Sequence, residues 1–525
     1  MKTNIYNKVK GLIKTVLPFY LLTLLPLATA CSDDFLEVEN NTDYPVEDYY
    51  KTRKHLDEAL VSAYAPLHWY DYGTTYQYNA LHYTDFLADD LYPNGSSNSD
   101  QPTLQAMYNY GDLTSLMVPT GFWGDSFSGI KRVNDAIKYA DWTEEAGDIT
   151  AAEKAGYVSQ LRVLRAFYYN VVWKLYGNIP CYFENLEAPY IDEQLKADQV
   201  YDKVIADLED VIDNGALQAE YPLDEAGHVT RPMAQMLFTE MVMIQNDNTR
   251  YGKALGFMQQ IISSGQFDLV SDFSSIWAES GEWGKESIFE INYFNVNSSR
   301  AWDNRLAAGG NVMSRLCGPR DFTPGAGCDV EAGWGFASLP VHAANLFTAN
   351  DRRRAITVFD MEASGTVSSG GGGWQYTGYM LGKYVGRVGQ NVDATGASDM
   401  AFNNNERVYR YAETLLNAAE LLLKTGGSAA TAAEYVNKVR QRAGLTALPS
   451  VTEDDIISER RLEFMGEGKR FFDLVRTGKA ASVLTAANDE GGYRKVNWSQ
   501  KYRYLPIPQD NIDAAKGTMQ QNPEY

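Results

Sequence analysis

A mostly α-helical fold, a helical superhelix packed against a loop-rich region with minor short strands, is predicted from three observations. Apolar residues recur at intervals of three and four along most of the chain, glycines stop those runs so that helices come in pairs, and one central stretch abandons the pattern. In "LRVLRAFYYNVVWKLYG" the positions Leu161, Leu164, Phe167, Tyr168, Val171, Val172 and Leu175 fall on one helical face. Gly177 supplies the stop, and Pro180 follows. "VYDKVIADLEDVIDNG" repeats the design with Val200, Val204, Leu208, Val211 and Ile212, ended by Gly215.

"RPMAQMLFTEMVMIQ" and "YGKALGFMQQIISSG" read as the next helix pair. "RYAETLLNAAELLLKTGG" and "TAAEYVNKVRQRAGL" read as another, turned by Gly426 and Gly427. Small residues at Ala412, Ala418, Ala419 and Ala433 let neighbouring helices approach closely. Helix pairs of about 35–40 residues with such contacts predict a tetratricopeptide-like superhelix of degenerate repeats.

From Ser271 to Asn405 the texture changes. "ESIFEINY" alternates like a short strand, and around it lie "GEWGKE", "SRAWDNRLAAGGN", "CGPRDFTPGAGCDVEAGWGF" and "SGTVSSGGGGWQYTGY". Long irregular loops are functional or disordered, and their tryptophans argue for function. By composition alone "SGGGG" reads as a flexible linker. Residues 67–109 form a second loop-rich stretch, dense in tyrosine. The expected organisation is a signal peptide over 1–30, a lipid-anchored tether over 31–50, helical parts over 51–270 and 406–525, and an aromatic loop region over 271–405, integrated as one domain.

The front of the chain carries its address. Lys2, Lys8, Lys10 and Lys14 precede an apolar run from Val16 to Ala30, which is short for a bilayer span and interrupted by Pro18 and Pro26. Small residues before Cys31 resemble a bacterial lipobox, with Ala28 where leucine is more usual; an ordinary signal peptide cleaved near Ala30 is the alternative. Lipidation of Cys31 with two or more acyl chains gives stable anchoring. Ser32, Asp33 and Asp34 resemble an acidic tag that exports lipoproteins to the outer surface.

Net charge is −22, and no Lys/Arg cluster offers a basic face, which excludes nucleic acid as a partner. Cys181, Cys317 and Cys328 form no C-x-x-C pair, although a Cys317–Cys328 bridge suits an oxidising compartment. His55, His68, His82, His228 and His342 lack metal-ligand spacing. Asp89, Asp90, Asn94, Asn98 and Asp100 are oxygen donors of the kind calcium takes, but without an EF-hand register. No phosphate loop, nucleophile elbow or dinucleotide fingerprint is present, so neither a cofactor nor a metal is expected. Glu459, Glu463 and Glu467 recur at intervals of four, yet Arg460, Arg461, Arg470 and Arg476 are interleaved. Arginines hold such carboxylates ionised, which suits structure better than glycosidase acid chemistry.

Several stretches resemble the SusD/RagB family of nutrient-binding outer-membrane lipoproteins. They are "LRVLRAFYYNVVWKLYGNIP", "RYAETLLNAAELL", "EYVNKVRQRAGL", "ISERRLEFMGEGKRFFDLVRTGK", "GWGFASLPVHAANLFTANDRRR" and the ending "YLPIPQDNIDAAKGTMQQNPEY". The resemblance implies four tetratricopeptide-like units and a lid-like position over a SusC-like TonB-dependent transporter. It also implies glycan as ligand in many members and peptide in some.

Thirty-five tyrosines, within 13% aromatic residues, point to a surface that stacks on a ligand. The C–H-rich face of a sugar ring lies flat on indole or phenol, which offers large area with few rotors to freeze. The predicted platform is Trp69, Tyr70, Tyr72 and Tyr76 with Trp283, Trp302, Trp334 and Trp374. Its polar partners are Asn94, Asn98, Asp100, Asp303, Asn304 and Arg305, while Trp123, Trp142, Trp173 and Trp277 are assigned to the core. The expected function is non-enzymatic capture of an oligo- or polysaccharide at the cell exterior and delivery to the SusC-like transporter. A peptide cargo and a lipid-anchored glycoside hydrolase or lyase are the rival readings.

Overall fold

The computed structural model describes residues 45–72, 78 and 80–525. Residues 51–525 form one compact unit. Of residues 1–50, the described part is the one-turn helix Val46–Tyr49 and its flanks. Cys31, with the signal and most of the tether, lies outside the described residues, as does Tyr76.

The longer helices of the compact unit are α1 (Arg53–Tyr64), α2 (Pro102–Asn109), α3 (Gly121–Glu145), α4 (Ala151–Tyr176), α5 (Ala197–Asn214), α6 (Arg231–Gln245), α7 (Tyr251–Ser264), α8 (Tyr411–Lys424), α9 (Ala429–Arg442), α10 (Glu453–Glu463) and α11 (Arg470–Arg476). From α3 to α9 each helix packs on the next, and α7 packs directly on α8 although nearly the whole loop-rich region intervenes in sequence. The fold is mostly α, a tetratricopeptide-like superhelix with its loop-rich region inserted between α7 and α8.

α4 shows why the sequence folds this way. Thr150 and Glu153 close a capping box at its start, which satisfies two otherwise orphaned N–H groups. At its end Gly177 has φ +69°, and a Cβ there would stand 2.8 Å from the Tyr504 ring. Trp173, Tyr168, Tyr169 and Tyr176 are buried, and each spends its polar tip on a carbonyl, of Ala197, Ala63, Tyr182 and Pro119 respectively, at 2.7–3.0 Å. Rings supply the buried area and their tips stay hydrogen-bonded. Ala412, Ala418, Ala419 and Ala433 are likewise buried where α8 meets its neighbours.

Strand β2 (Ser287–Ile291), within the stretch predicted to be a strand, pairs antiparallel with β6 (Glu406–Arg410). The pairing ties the two ends of the inserted region together. Inside it, β3 (Phe336–Ser338), β4 (Val358–Asp360) and β5 (Tyr379–Leu381) join β1 (Tyr92–Asn94) in a sheet of order β1-β3-β5-β4. Because β1 belongs to the other loop-rich stretch, this sheet merges the two. Asn94 sits opposite Phe336 in its register.

The motif from Glu459 to Arg476 is not one helix. Gly466 and Gly468, at φ +79° and +73°, turn the chain between α10 and α11, so Glu467 stands on a turn. Its partners are Lys383 at 2.6 Å and Arg410 at 2.8 Å. Arg470 pairs with Asp89 rather than with its neighbours in sequence, whereas Asp473 and Arg476, three positions apart on α11, pair with each other at 2.7 Å. Glu463, fully buried, accepts from Arg353, Arg410 and Arg442. Burial works to raise its carboxyl, but those arginines hold it well below the usual range.

Candidate functional site

Two loops from opposite parts of the sequence are clamped by one buried ion pair. The Arg300 guanidinium donates to both oxygens of Asp71, at 2.6 and 2.7 Å. Its remaining N–H groups reach the carbonyls of Tyr72 at 3.0 Å, Gly310 at 2.8 Å and Arg305 at 2.7 Å. Asp71 also accepts from the backbone N–H groups of Tyr72 and Val312. Both side chains are buried, and the bidentate geometry satisfies the planar guanidinium.

The clamp places rings on the adjoining surface. Between Ala301 and Asn304 the backbone closes a tight turn, with the Asn304 N–H 2.9 Å from the Ala301 carbonyl, and Trp302 projects from it, 38% exposed. The Trp302 ring stacks on Trp334 at 5.7 Å between centroids and 29° between planes. Tyr72 meets the edge of Trp302 at 5.3 Å. Tyr78 closes the arc against Tyr72 at 4.8 Å, Trp334 at 5.8 Å and Phe336 at 6.0 Å. The Arg305 guanidinium lies over the Tyr72 ring at 5.1 Å, and Asp303 and Asn304 are exposed beside Trp302.

A second exposed indole, Trp374 at 45%, adjoins this arc through the backbone. The Trp374 backbone N–H donates to the Gly95 carbonyl at 2.9 Å. A Cβ on Gly95 would approach Phe336 to 2.9 Å, and its φ is +86°, so the close contact requires glycine. The glycine run before Trp374 is a packed turn and not the flexible linker its composition predicts. Gly370, Gly372 and Gly373 have positive φ, and a Cβ on Gly373 would collide with Asn94 and Gly95.

The arrangement redistributes the predicted platform. Tyr72, Trp302, Trp334 and Arg305 come together, while the Trp374 ring meets Tyr493 at 6.1 Å and connects to them through the backbone of Gly95 and Gly335. Trp69, 3% exposed, sits beneath the Arg132 guanidinium, and Tyr70 is buried with its hydroxyl 2.7 Å from that of Ser126. These two follow α1 into a turn of tight helix whose inner side faces the core, so they form the footing of the loop and not its display. Trp283 stands elsewhere, its indole N–H donating to Asn292 at 2.7 Å. Among the polar residues, Asn94 is buried and engaged with Gln375 and Gly372, and Asp100 accepts from Ser96 at 2.8 Å. Asn98 is exposed. Tyr78 and Phe336 were not selectable from sequence, because one more tyrosine in "YQYNA" and one phenylalanine in a strand carry no distinguishing signal.

The carboxylates that the sequence brought into question for acid–base or metal chemistry are engaged elsewhere. Glu459 and Glu463 are buried in the arginine network. Asp89, Asp90 and His342 bring ligand-type atoms within 4.8 Å of one another, but Arg461 and Arg470 pair with both carboxylates. Cys317 is buried and Cys328 half-buried, both as free thiols, so the conceivable bridge is not formed.

A helical-repeat scaffold that presents a braced arc of aromatic rings defines a binding protein whose ligand offers flat faces. Its lineage agrees with that class. The chain belongs to the SusD family, whose model matches residues 356–525. It is similar to the surface glycan-binding protein A from Bacteroides thetaiotaomicron solved in complex with laminarihexaose, at 43% identity and a TM-score of 0.84, covering 90% of this chain and 99% of that one. A laminarin-binding SusD-like protein matches at 27% identity and a TM-score of 0.80, over 91% and 100% of the two chains. SusD-like protein P38 of Formosa agariphila is 26% identical over 93% of this chain and 96% of its own length.

Proposed function

We propose that this protein binds a laminarin-type glucose oligosaccharide by laying sugar rings on the exposed indoles of Trp302 and Trp374, with Trp334 and the buried Tyr72 as the backing of Trp302, without cleaving it. The observation that carries the reading is Trp302: an indole backed by Trp334, braced by Tyr72 and still open to solvent. A rigid, half-covered ring loses little freedom when a ligand arrives, so more of the contact energy appears as affinity. Asp303, Asn304, Arg305 and Asn98 supply the hydrogen-bonding rim for sugar hydroxyls. The likeness to a laminarihexaose-bound relative supports this choice of glucan.

Delivery to a SusC-like TonB-dependent transporter at the outer membrane, with the chain tethered by acyl groups on Cys31, completes the proposal. It is supported by family membership and by the cysteine that ends the apolar leader. Shallow stacking suits such a role, because the sugar must leave again. The lack of catalysis is supported by carboxylates already committed to arginines.

Affinity electrophoresis of the unlipidated chain through gels containing laminarin, starch or cellulose derivatives tests the reading. Retardation by laminarin with no release of reducing ends is the expected result. Retardation only by an unrelated polymer, or steady release of reducing ends, would overturn it.

A further inference from the structure

Two adjoining cavities lie apart from the aromatic arc. One has a volume of about 430 Å³ and the other about 190 Å³, and both are lined by Ala226, Gly227 and His228. The larger is walled by Trp283 and Tyr221, and the smaller by Tyr64 and His68. We infer that this double cavity is a second ligand site, one that takes an uncharged sugar unit and is separate from the arc.

Four observations carry the inference. The walls are flat and fixed: Tyr221 stacks on His228 at 4.8 Å and 25°, Tyr64 meets the same imidazole edge-on at 5.8 Å, and the Trp283 indole is pinned by Asn292. Trp283 holds φ +51°, a region a bulky residue rarely occupies and one that concentrates at functional sites. The saddle between the lobes is Gly227 at φ +108°, where a Cβ would stand 2.6 Å from the Asn292 amide. Any other residue would therefore disturb the wall. Finally, Ser287 lines the larger lobe with a buried hydroxyl that has no hydrogen-bond partner among the described residues.

The chemistry of the lining selects the ligand. Aromatic faces with a hydroxyl and amides between them match a pyranose, whose faces are apolar and whose rim is polar. Burial holds His228 below its ordinary value, so it is neutral at physiological pH and gives no anion-binding charge. Of the charged side chains in the larger lobe, exposed Glu220 and Lys285 offer one of each sign, which favours neither acidic nor basic peptides.

The site is also near the first. His68 lines the smaller lobe and Tyr72 stands in the arc four residues further along the chain, at most about 14 Å of extended backbone away. Two weak sites at that spacing reinforce each other for a ligand long enough to touch both. The glucan class rests on the function proposed above, whereas the location does not.

Fluorine NMR of the full chain labelled with 5-fluorotryptophan tests the inference. The ten tryptophans give separate signals, and Trp283→Phe and Trp302→Phe assign the two that matter. Titration with laminaritriose is expected to shift both signals with different midpoints, and Trp283→Ala is expected to weaken laminarihexaose binding about tenfold. Movement of Trp302 alone overturns the second site and leaves the proposed function standing. Movement of Trp283 alone supports the cavity and removes the arc from the proposed function. No movement of either overturns both, and a Trp283 response to neutral tripeptides but not to sugars overturns the ligand class.

Discussion

Replacing Asp71 by alanine strands a buried guanidinium. Arg300 loses both carboxylate contacts, and the backbone N–H groups of Tyr72 and Val312 lose their acceptor. Removing one partner of a buried pair costs about 3–5 kcal/mol, mostly because the remaining charge is uncompensated. The clamp joins two surface loops, so the cheapest relief is local opening rather than unfolding of the superhelix. At about 1.4 kcal/mol per factor of ten, the open population of residues 298–312 rises at least about a hundredfold. Hydrogen exchange followed by mass spectrometry should show that rise in those peptides, with α4 and α8 unchanged. Glucan affinity should fall in parallel, because Tyr72 and Trp302 no longer share one rigid support. Adding Arg300→Met to Asp71→Ala removes the stranded charge and should restore part of the protection. Unchanged exchange in 298–312, or full glucan affinity in Asp71→Ala, would refute the argument that this pair preorganises the arc.

Other perturbations have equally definite outcomes. Trp374→Ala removes an exposed stacking face and should weaken laminarihexaose binding by about 1 kcal/mol, or roughly fivefold, with no change in melting temperature; an unaltered titration would take Trp374 off the arc. Glu240 on α6 is buried against Lys174 at 2.9 Å. Burial works to raise its carboxyl, but Lys174 and Lys469 hold it down at about 2. An unfolded glutamate titrates near 4.3, so this group's stabilisation is complete above that pH and is lost as pH falls toward 2. It amounts to about 3 kcal/mol. Melting curves between pH 6 and pH 3 should therefore be flatter for Glu240→Gln than for the parent chain, and identical slopes would contradict the assignment. Cys31→Ser should abolish incorporation of labelled palmitate and release the chain from the membrane fraction, and retained label would place the lipid elsewhere.

The helical frame was legible because its signals are local. The three- and four-residue spacing of α4 and α5, Gly177 and Gly215 at their ends, and the Gly426–Gly427 turn each act within a few residues. The strand Ser287–Ile291 announced itself by alternation, but its partner, residues 406–410, did not, since pairing across so long an insertion leaves no local mark. The interval of four from Glu459 to Glu467 does not carry one helix through the motif, because two glycines in three residues turn the chain there. Within the site, Trp302 and Trp374 were recoverable as tryptophans in loops. Trp69 was not separable from them by sequence, because its burial follows from Arg132 and the helix behind it. Arg300 escaped notice for a related reason: its partner Asp71 lies 229 positions away, and nothing in "SSRAWDNR" marks one arginine as buried. The glycine run misled because composition records flexibility, whereas the fold uses the same residues to bring Gly373 against Asn94.

Isothermal titration of the unlipidated chain with laminarihexaose, set beside Trp302→Ala and a Trp302→Ala/Trp334→Ala variant of unchanged helicity, bears most directly on the central claim. Saturable binding by the parent, roughly tenfold weaker binding after the first substitution and only the weak residual binding of the Trp283 cavity after the second is the predicted pattern. Equal affinity across all three proteins would show that the sugar is held somewhere other than the ring arc.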